Sequence, residues 1–228
     1  MSKGLFVTGT GTDIGKTYVT GLIVKKFRSG GINAGYYKPA LSGAEFVDGE
    51  LVPGDCKHVA DTAGLQITPQ KLASYIFKTE VSPHLAAQIE GRPIEPNVIF
   101  NDFEKFICRY EYITVEGCGG IICPLRLDGI VIMQTDIIRL LNLDVIIVAE
   151  SGLGSINGTA LTVHYAESQG IAVRGIILNN YDANNFLHRD NKNSIELITK
   201  ISVVACVSAG AASLDMDTPD LCRLYKEL

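Results

Sequence analysis

The stretch from Leu5 to Tyr18, LFVTGTGTDIGKTY, constrains this chain more than any other. Leu5, Phe6 and Val7 form an apolar run suited to a short buried strand. Gly9-Thr10-Gly11-Thr12-Asp13-Ile14-Gly15 is a glycine-spaced loop, and Lys16-Thr17 opens an amphipathic helix. A loop of this kind turns successive backbone N–H groups toward one point. The helix N-terminus adds the positive end of its dipole, and together they hold phosphate. Lys16 supplies a cation for the terminal phosphates, and the Thr17 hydroxyl is a ligand for magnesium. The common pattern G-x-x-x-x-G-K-[ST] places glycine where Thr10 stands, with Gly9 and Gly11 on either side. An ordinary glycine-rich strand-to-helix turn is the competing reading. Strand, loop, Gly-Lys-Thr and helix in succession favour phosphate.

The remainder reads as alternating strands and helices. Apolar residues at 19, 22, 23 and 27 have helical spacing, and Ser29-Gly30-Gly31 stops that helix. Ile32–Tyr37 is a second strand, which Lys38-Pro39 is expected to end. Residues 40–54 read as a loop that delivers Asp55 to a short helix reaching Ala63. Thr68-Pro69 and Ser82-Pro83 have the cap-and-first-residue form of helical turns. His84 is either a first-turn residue or part of a substrate wall. Residues 98–108 have helical period, and Tyr112–Val115 is a strand running into Glu116-Gly117-Cys118-Gly119-Gly120. An acid at the end of a buried strand is where a phosphate-loop protein places its magnesium-linked carboxylate, although Asp is the usual residue. Helix over 136–141, strand over 145–149, helix from Ser151-Gly152-Leu153 to 168 and strand over 172–178 follow. Residues 181–193 read as a polar, mobile excursion. A helix over 194–200, a strand over 203–207 and a closing helix over 219–228 complete the chain.

Such alternation specifies an α/β fold: a doubly wound, mainly parallel sheet with helices on both faces, here one domain over residues 1–228. Ligands in these sheets gather at the carboxyl ends of the strands. Gly9–Thr17, Lys38–Ser42, Glu116–Gly120, Ser151–Asn157 and Asn179–Asn180 all follow strands and can converge there. The composition is that of a globular chain, with 46% hydrophobic and 20% charged residues. A net charge of −5 argues against general nucleic-acid binding. No apolar run approaches the ~20 residues that a membrane-spanning helix needs, and the N-terminus lacks signal-peptide organisation. A cytoplasmic protein is expected. The six cysteines contain no C-x-x-C pair, which suits free thiols better than a disulfide framework or zinc site. Cys118 is either a nucleophile lacking an adjacent base or a small residue filling a tight turn.

Taken in order, these pieces resemble the dethiobiotin synthetase family. They are G-T-G-T-D-I-G-K-T (9–17), Y-K-P-A-L-S-G (37–43), Asp55, S-P-H (82–84), E-G-R-P-I-E (90–95), V-E-G-C-G-G (115–120), G-L-G-S-I-N (152–157) and Asn179. The chain differs from the family pattern in carrying Cys118 for alanine, and Ala205-Cys206-Val207-Ser208 where a Gly-x-Ile-Pro-like run is usual. The resemblance implies a P-loop fold and an ATP- and Mg2+-dependent cyclo-ligase acting on 7,8-diaminononanoate and CO2. It also implies a homodimer, with no nucleic-acid or membrane partner. Lys16, Lys38 and Thr12 are then the catalytic candidates. A lysine at a strand end is more often a solvated charge; the Tyr-Lys-Pro setting is what marks Lys38. The implied nucleotide contacts are Asp13, Ile14, Gly15, Lys16, Thr17, Tyr18, Asp55, Glu116, Gly117, Cys118, Gly119, Asn179 and Asn180. Thr17, Asp55 and Glu116 form the implied magnesium set, and Ser42, Gly152, Leu153 and Asn157 the implied substrate contacts. Two other readings remain. A cobyrinate-type amidoligase would carry an added glutaminase domain. A partition-type ATPase switch would carry a second lysine near Gly11.

Overall fold

The computed structural model describes residues 1–228. Strand β1 (Lys3–Gly9) leads through the glycine loop into α1 (Lys16–Ser29), then β2 (Ala34–Leu41). A hairpin of β3 (Glu45–Val47) and β4 (Glu50–Val52) precedes α2 (Gly54–Ala63). A 3-10 turn (Pro69–Leu72), β5 (Ala73–Ile76), α3 (Pro83–Ile89) and α4 (Pro96–Ile107) lead to β6 (Tyr112–Glu116). A second hairpin, β7 (Pro124–Arg126) and β8 (Ile132–Met133), runs into α5 (Gln134–Leu140). Then come β9 (Val145–Glu150), α6 (Ser155–Ser168), β10 (Val173–Asn179), α7 (Phe186–Thr199), β11 (Val203–Val207), α8 (Thr218–Arg223) and β12 (Lys226–Glu227).

Seven strands form a parallel sheet in the order β11-β10-β9-β1-β6-β2-β5. This is the doubly wound α/β arrangement expected, with β1 at the centre. Central strands β1 and β9 are apolar on both faces, as parallel strands covered by helices must be: the consecutive residues Leu5, Phe6 and Val7, and Ile146, Ile147 and Val148, are all buried. The phosphate loop therefore leaves the carboxyl end of the middle strand, beside the crevice where connections to either side diverge. No helix is long and apolar enough to cross a membrane.

Four expectations are corrected. Strand β2 does not end at Lys38-Pro39 but continues, fully buried, to Leu41. Its ladder to β6 stops at Tyr37 opposite Val115, whereas Lys38, Ala40 and Leu41 pair with β5. Pro39 thus falls where its missing N–H deprives no ladder bond to β6. Residues 40–54 are not a plain loop, since they include the β3–β4 hairpin. Most of the polar 181–193 excursion is helix α7. Asn185 caps it by accepting the Leu187 N–H at 2.9 Å, and its inward residues include Asn191 and Ile195. Asn191 is polar yet buried, donating from Nδ2 to Ser151 O and Gly152 O at 2.9 Å, and this hides the helix from apolar periodicity. Finally, the closing helix stops at Arg223, and Lys226–Glu227 turns back to pair antiparallel with Lys3–Gly4.

Candidate active site

The loop from Gly9 to Lys16 is shaped by close approaches. Gly15 has φ +85°, and a Cβ there would lie 2.1 Å from Asn179 Nδ2. Glycine is required on both counts. Asn179, at the end of β10, lies beneath the loop and donates from Nδ2 to Ile14 O at 3.1 Å. Its Oδ1 is buried without a partner. Lys16, opening α1, curls back so that Nζ donates to Gly11 O at 2.7 Å. Burial lowers the Lys16 pKa and the nearby Lys38 charge lowers it further, while Glu116, Cys118 and Asp55 oppose the shift.

Next to the loop, five polar side chains meet at the end of β6. Glu116 is fully buried. Its Oε1 accepts from Thr17 Oγ1 at 2.8 Å and from Lys38 Nζ at 2.6 Å, and its Oε2 accepts from the Tyr36 hydroxyl at 2.9 Å. Lys38 Nζ also lies 2.6 Å from Asp55 Oδ2 and donates to Gly117 O at 3.2 Å. One ammonium thus sits between two carboxylates. Burial alone would lower the Lys38 pKa, but Glu116 and Asp55 outweigh it and hold Lys38 well above the ordinary lysine value. Burial likewise works to raise the Asp55 pKa, and Lys38 reverses this to a net lowering. Lys38 is therefore a fixed cation rather than a nucleophile.

The loop after Glu116 is held by Gln134, the first residue of α5. Its Oε1 accepts the Cys118 N–H at 2.6 Å, and its Nε2 donates to Gly120 O at 3.2 Å. A Cβ on Gly117 would stand 2.4 Å from the same Oε1, so this carboxamide and the glycine are matched. The Cys118 thiol donates to Ala40 O at 2.8 Å, and burial pushes its pKa up to about 11. That supports the reading of Cys118 as a tight-turn residue rather than a nucleophile. On the far side, Ser42 Oγ donates to Val81 O at 2.5 Å, tying the end of β2 to the segment before α3.

Lys16, Thr17, Lys38, Asp55, Glu116, Cys118 and Ser42 line one cleft of ≈ 960 Å³, near the upper end of small-molecule sites. Among the residues singled out from sequence, its wall contains Thr12, Asp13, Gly15, Lys16, Thr17, Tyr18, Lys38, Ser42, Asp55, Glu116, Cys118 and Gly119. Ile14, Gly117, Asn179 and Asn180 lie outside this wall, Ile14 and Gly117 as parts of the two loops that frame it. Asn180 Nδ2 donates to Glu150 at the strand end. Gly152, Leu153 and Asn157 are also outside, in the turn before and the first turn of α6, with Leu153 93% exposed. Three of the five strand ends therefore converge on the cleft. His84 is not on its wall either. The sequence reading passed over Tyr36 and Gln134. Tyr36 was detectable, because positions 36 and 38 share a strand face. Gln134 carries no sequence signal, since its partners are backbone groups of the loop after Glu116 and the Thr8 hydroxyl of β1.

A phosphate loop on the central strand of a parallel sheet, with a strand-end acid bonded to the loop threonine, defines a P-loop NTPase domain. Residues 3–213 match the family model described as AAA domain. The fold is shared with the MinD–MinC cell division complex of Aquifex aeolicus, at a TM-score of 0.56 and 15% identity over 91% of this chain and 81% of that one. It is also shared with a ParA family ATPase of Chlorobium tepidum, at 0.54 and 13% over 91% and 84%. At such identities the likeness is one of fold alone.

Sequence relatives narrow the class. The chain is 50% identical to the ATP-dependent dethiobiotin synthetase BioD of Clostridium botulinum strain Alaska E43, over 96% of this chain and 95% of the relative. It is 49% identical to that of Clostridium novyi over 91% and 87%, and 44% identical to that of Clostridium botulinum strain Okra over the full length of both. The chain belongs to the ATP-dependent dethiobiotin synthetase family.

Proposed function

We propose that this chain is a single-domain cyclo-ligase that converts 7,8-diaminononanoate, CO2 and ATP into dethiobiotin, ADP and phosphate. One amine of the substrate adds to CO2 and loses a proton, giving a carbamate. A carbamate oxygen attacks the γ-phosphorus and ADP leaves, forming a carbamic-phosphoric anhydride. The second amine then attacks the carbamoyl carbon, phosphate departs and the five-membered ureido ring closes. Anionic oxygens are gathered or transferred in every step, so the protein must supply cations and alignment rather than a covalent nucleophile.

The observation that carries this reading, beside family membership, is the disposition of two lysines in one cleft. Lys16 belongs to the phosphate loop after β1, and Lys38 of β2, two strands away across β6, is fixed between Asp55 and Glu116, on the side of the cleft that runs to Ser42. In this reading Lys16 serves the phosphate donor and Lys38 the carbamate. Thr12 bridges the two, and Ser42 contacts the substrate. Asp13, Gly15, Tyr18 and Gly119 contact the nucleotide from the cleft wall. Asn179 and Asn180 are assigned to its base, and Ile14, Gly117 and Cys118 complete the two loops around it. The Gly152–Asn157 turn lies outside the cleft of its own chain. A role for Gly152, Leu153 and Asn157 at the substrate carboxylate therefore fits a homodimer in which a second copy presents them. The exposed Leu153 in that turn and the exposed Leu161 further along α6 support such a contact.

Thr17 is bonded to Glu116, and Asp55 and Glu116 share Lys38, so the three residues bring hard oxygen ligands together in a donor set suited to Mg2+. Mg2+ would neutralise charge on the triphosphate oxygens when bound. Glu116→Gln is expected to shift the magnesium titration of turnover to higher concentration, and an unmoved titration would remove Glu116 from the ligand set.

The reading is tested by measuring phosphate release with ATP, Mg2+, diaminononanoate and bicarbonate, each omitted in turn, with the product followed by mass. Release that requires both diamine and bicarbonate, with a matching dethiobiotin mass, is expected. Full ATPase activity without diamine would overturn it in favour of a nucleotide switch.

A further inference from the structure

The carboxylate of Glu116 is held on both oxygens by different kinds of group. Oε1 faces Thr17 and Lys38, the residues of the cleft, while Oε2 faces Tyr36, which has no accessible surface. Strand alternation puts Tyr36 and Lys38 on one face of β2, and the register pairs Tyr36 with Thr114 and Tyr37 with Val115. Glu116 is the next residue of β6 after that ladder, within reach of the Tyr36 hydroxyl, and Tyr36, unlike Glu116 and Lys38, is not part of the cleft wall. Tyr37 points the opposite way and packs on Phe103 and Phe106 of α4. Phenylalanine would fill the volume of Tyr36 as well; what tyrosine adds is a donor aimed at one carboxylate oxygen.

A carboxylate can rotate about its last bond and exchange its two oxygens. A donor bound on one side removes that freedom and leaves a single oxygen for the cleft. We propose that Tyr36 is a positioning residue for the magnesium-linked acid: its phenol anchors Glu116 Oε2, so that Oε1 alone is presented on the Thr17 side. This rests on the assignment of Glu116 as a metal ligand under the proposed function. Groups that orient a ligating carboxylate are worth roughly 10–100-fold in metal affinity. The hydroxyl of Tyr36 is expected to fall in that range.

The test is a Mn2+ titration of the full chain with a nonhydrolysable ATP analogue, with free Mn2+ followed by electron paramagnetic resonance. Wild type is compared with Tyr36→Phe, Glu116→Gln and the double variant. Tyr36→Phe is expected to weaken Mn2+ binding by ~10-fold or more, to raise the magnesium requirement of turnover in parallel, and to regain kcat when magnesium saturates. In the Glu116→Gln background the same change is expected to have no further effect on Mn2+. Should Tyr36→Phe fail to fold by circular dichroism, 4-aminophenylalanine at position 36 keeps the shape with a weaker donor, and a smaller loss of affinity is expected. Unchanged Mn2+ affinity in the folded variant, or a lower kcat with an unmoved metal dependence, would overturn the proposal. If Glu116→Gln shifts Mn2+ binding and Tyr36→Phe does not, only this inference falls. If neither does, the ligand assignment falls with it. The measurement needs no diamine, so a failure of the proposed reaction would show separately, in the phosphate-release assay.

Discussion

Lys16→Gln is expected to abolish diamine-dependent phosphate release, lowering kcat by ~100- to 1,000-fold or more, the loss typical of removing one preorganised donor from developing charge. Phosphoryl transfer leaves little covalent work to the protein, so a missing cation is not made up by other groups. Lys16 is 7% exposed, and its ammonium already lies against Gly11 O in the loop. A glutamine amide can replace that hydrogen bond but not the charge. The variant is therefore expected to melt close to wild type, which separates a chemical loss from a folding one. Phosphate release under saturating ATP, diamine and bicarbonate measures the effect. Wild-type turnover in this variant would show that the loop lysine has no part in the transfer.

The legible part of this molecule was the part built from local chain chemistry. Leu5–Val7, the glycine loop and Lys16-Thr17 follow one another directly, so strand, loop and helix could be read as a unit, as could the apolar run at 145–149. Elements defined by tertiary partners were harder. Pro39 signals a strand end in isolation, yet it is accommodated in β2 because β6 has stopped pairing there while β5 continues. The short strand β5 lacks a period of its own beyond Ala73–Ile76, and β12 is two residues long, so both exist only through β2 and β1. Helix α7 was concealed because one of its inward residues is Asn191, whose partners are carbonyls of the turn before α6. In the site, the residue types with visible chemistry were found and those that hold them were not. Lys38 and Glu116 stand out in the Tyr-Lys-Pro and Glu-Gly-x-Gly-Gly contexts, whereas Asp55 is marked only by the family resemblance. Tyr36 and Gln134 act on the same acid and its loop, but their roles depend on register between strands and on a helix start that lies across the sheet.

Lys38→Gln is expected to produce two separable losses. The first is chemical: turnover collapses while nucleotide affinity, followed with a fluorescent ATP analogue, falls far less, because the phosphate loop keeps Lys16 and its backbone donors. The second is in stability. Lys38 is the cation shared by Asp55 and Glu116, with 2.6 Å to each, and Glu116 has no exposed surface. Removing one partner of a buried pair costs about 3–5 kcal/mol. The Asp55 side chain is 40% exposed, so solvent screening discounts its share and the cost falls mainly on Glu116. The metal-free variant is accordingly expected to melt well below wild type, and added Mg2+ to restore more of the variant's stability than of the wild type's, since it supplies the missing positive charge. The pH dependence has a definite sign. Asp55 has its folded pKa lowered by Lys38, so that its contribution is present above the ordinary carboxylate pKa and is lost as pH falls through the lowered value. Lys38 has its pKa raised, so its contribution is full below the ordinary lysine value and persists until pH climbs through the raised one. The gap in melting temperature between wild type and Lys38→Gln should therefore be widest near neutral pH and narrow on acidification, as Asp55 takes up its proton. A gap that stayed constant from neutral to acid pH would mean that Asp55 does not depend on Lys38. An unchanged turnover would remove Lys38 from the chemistry.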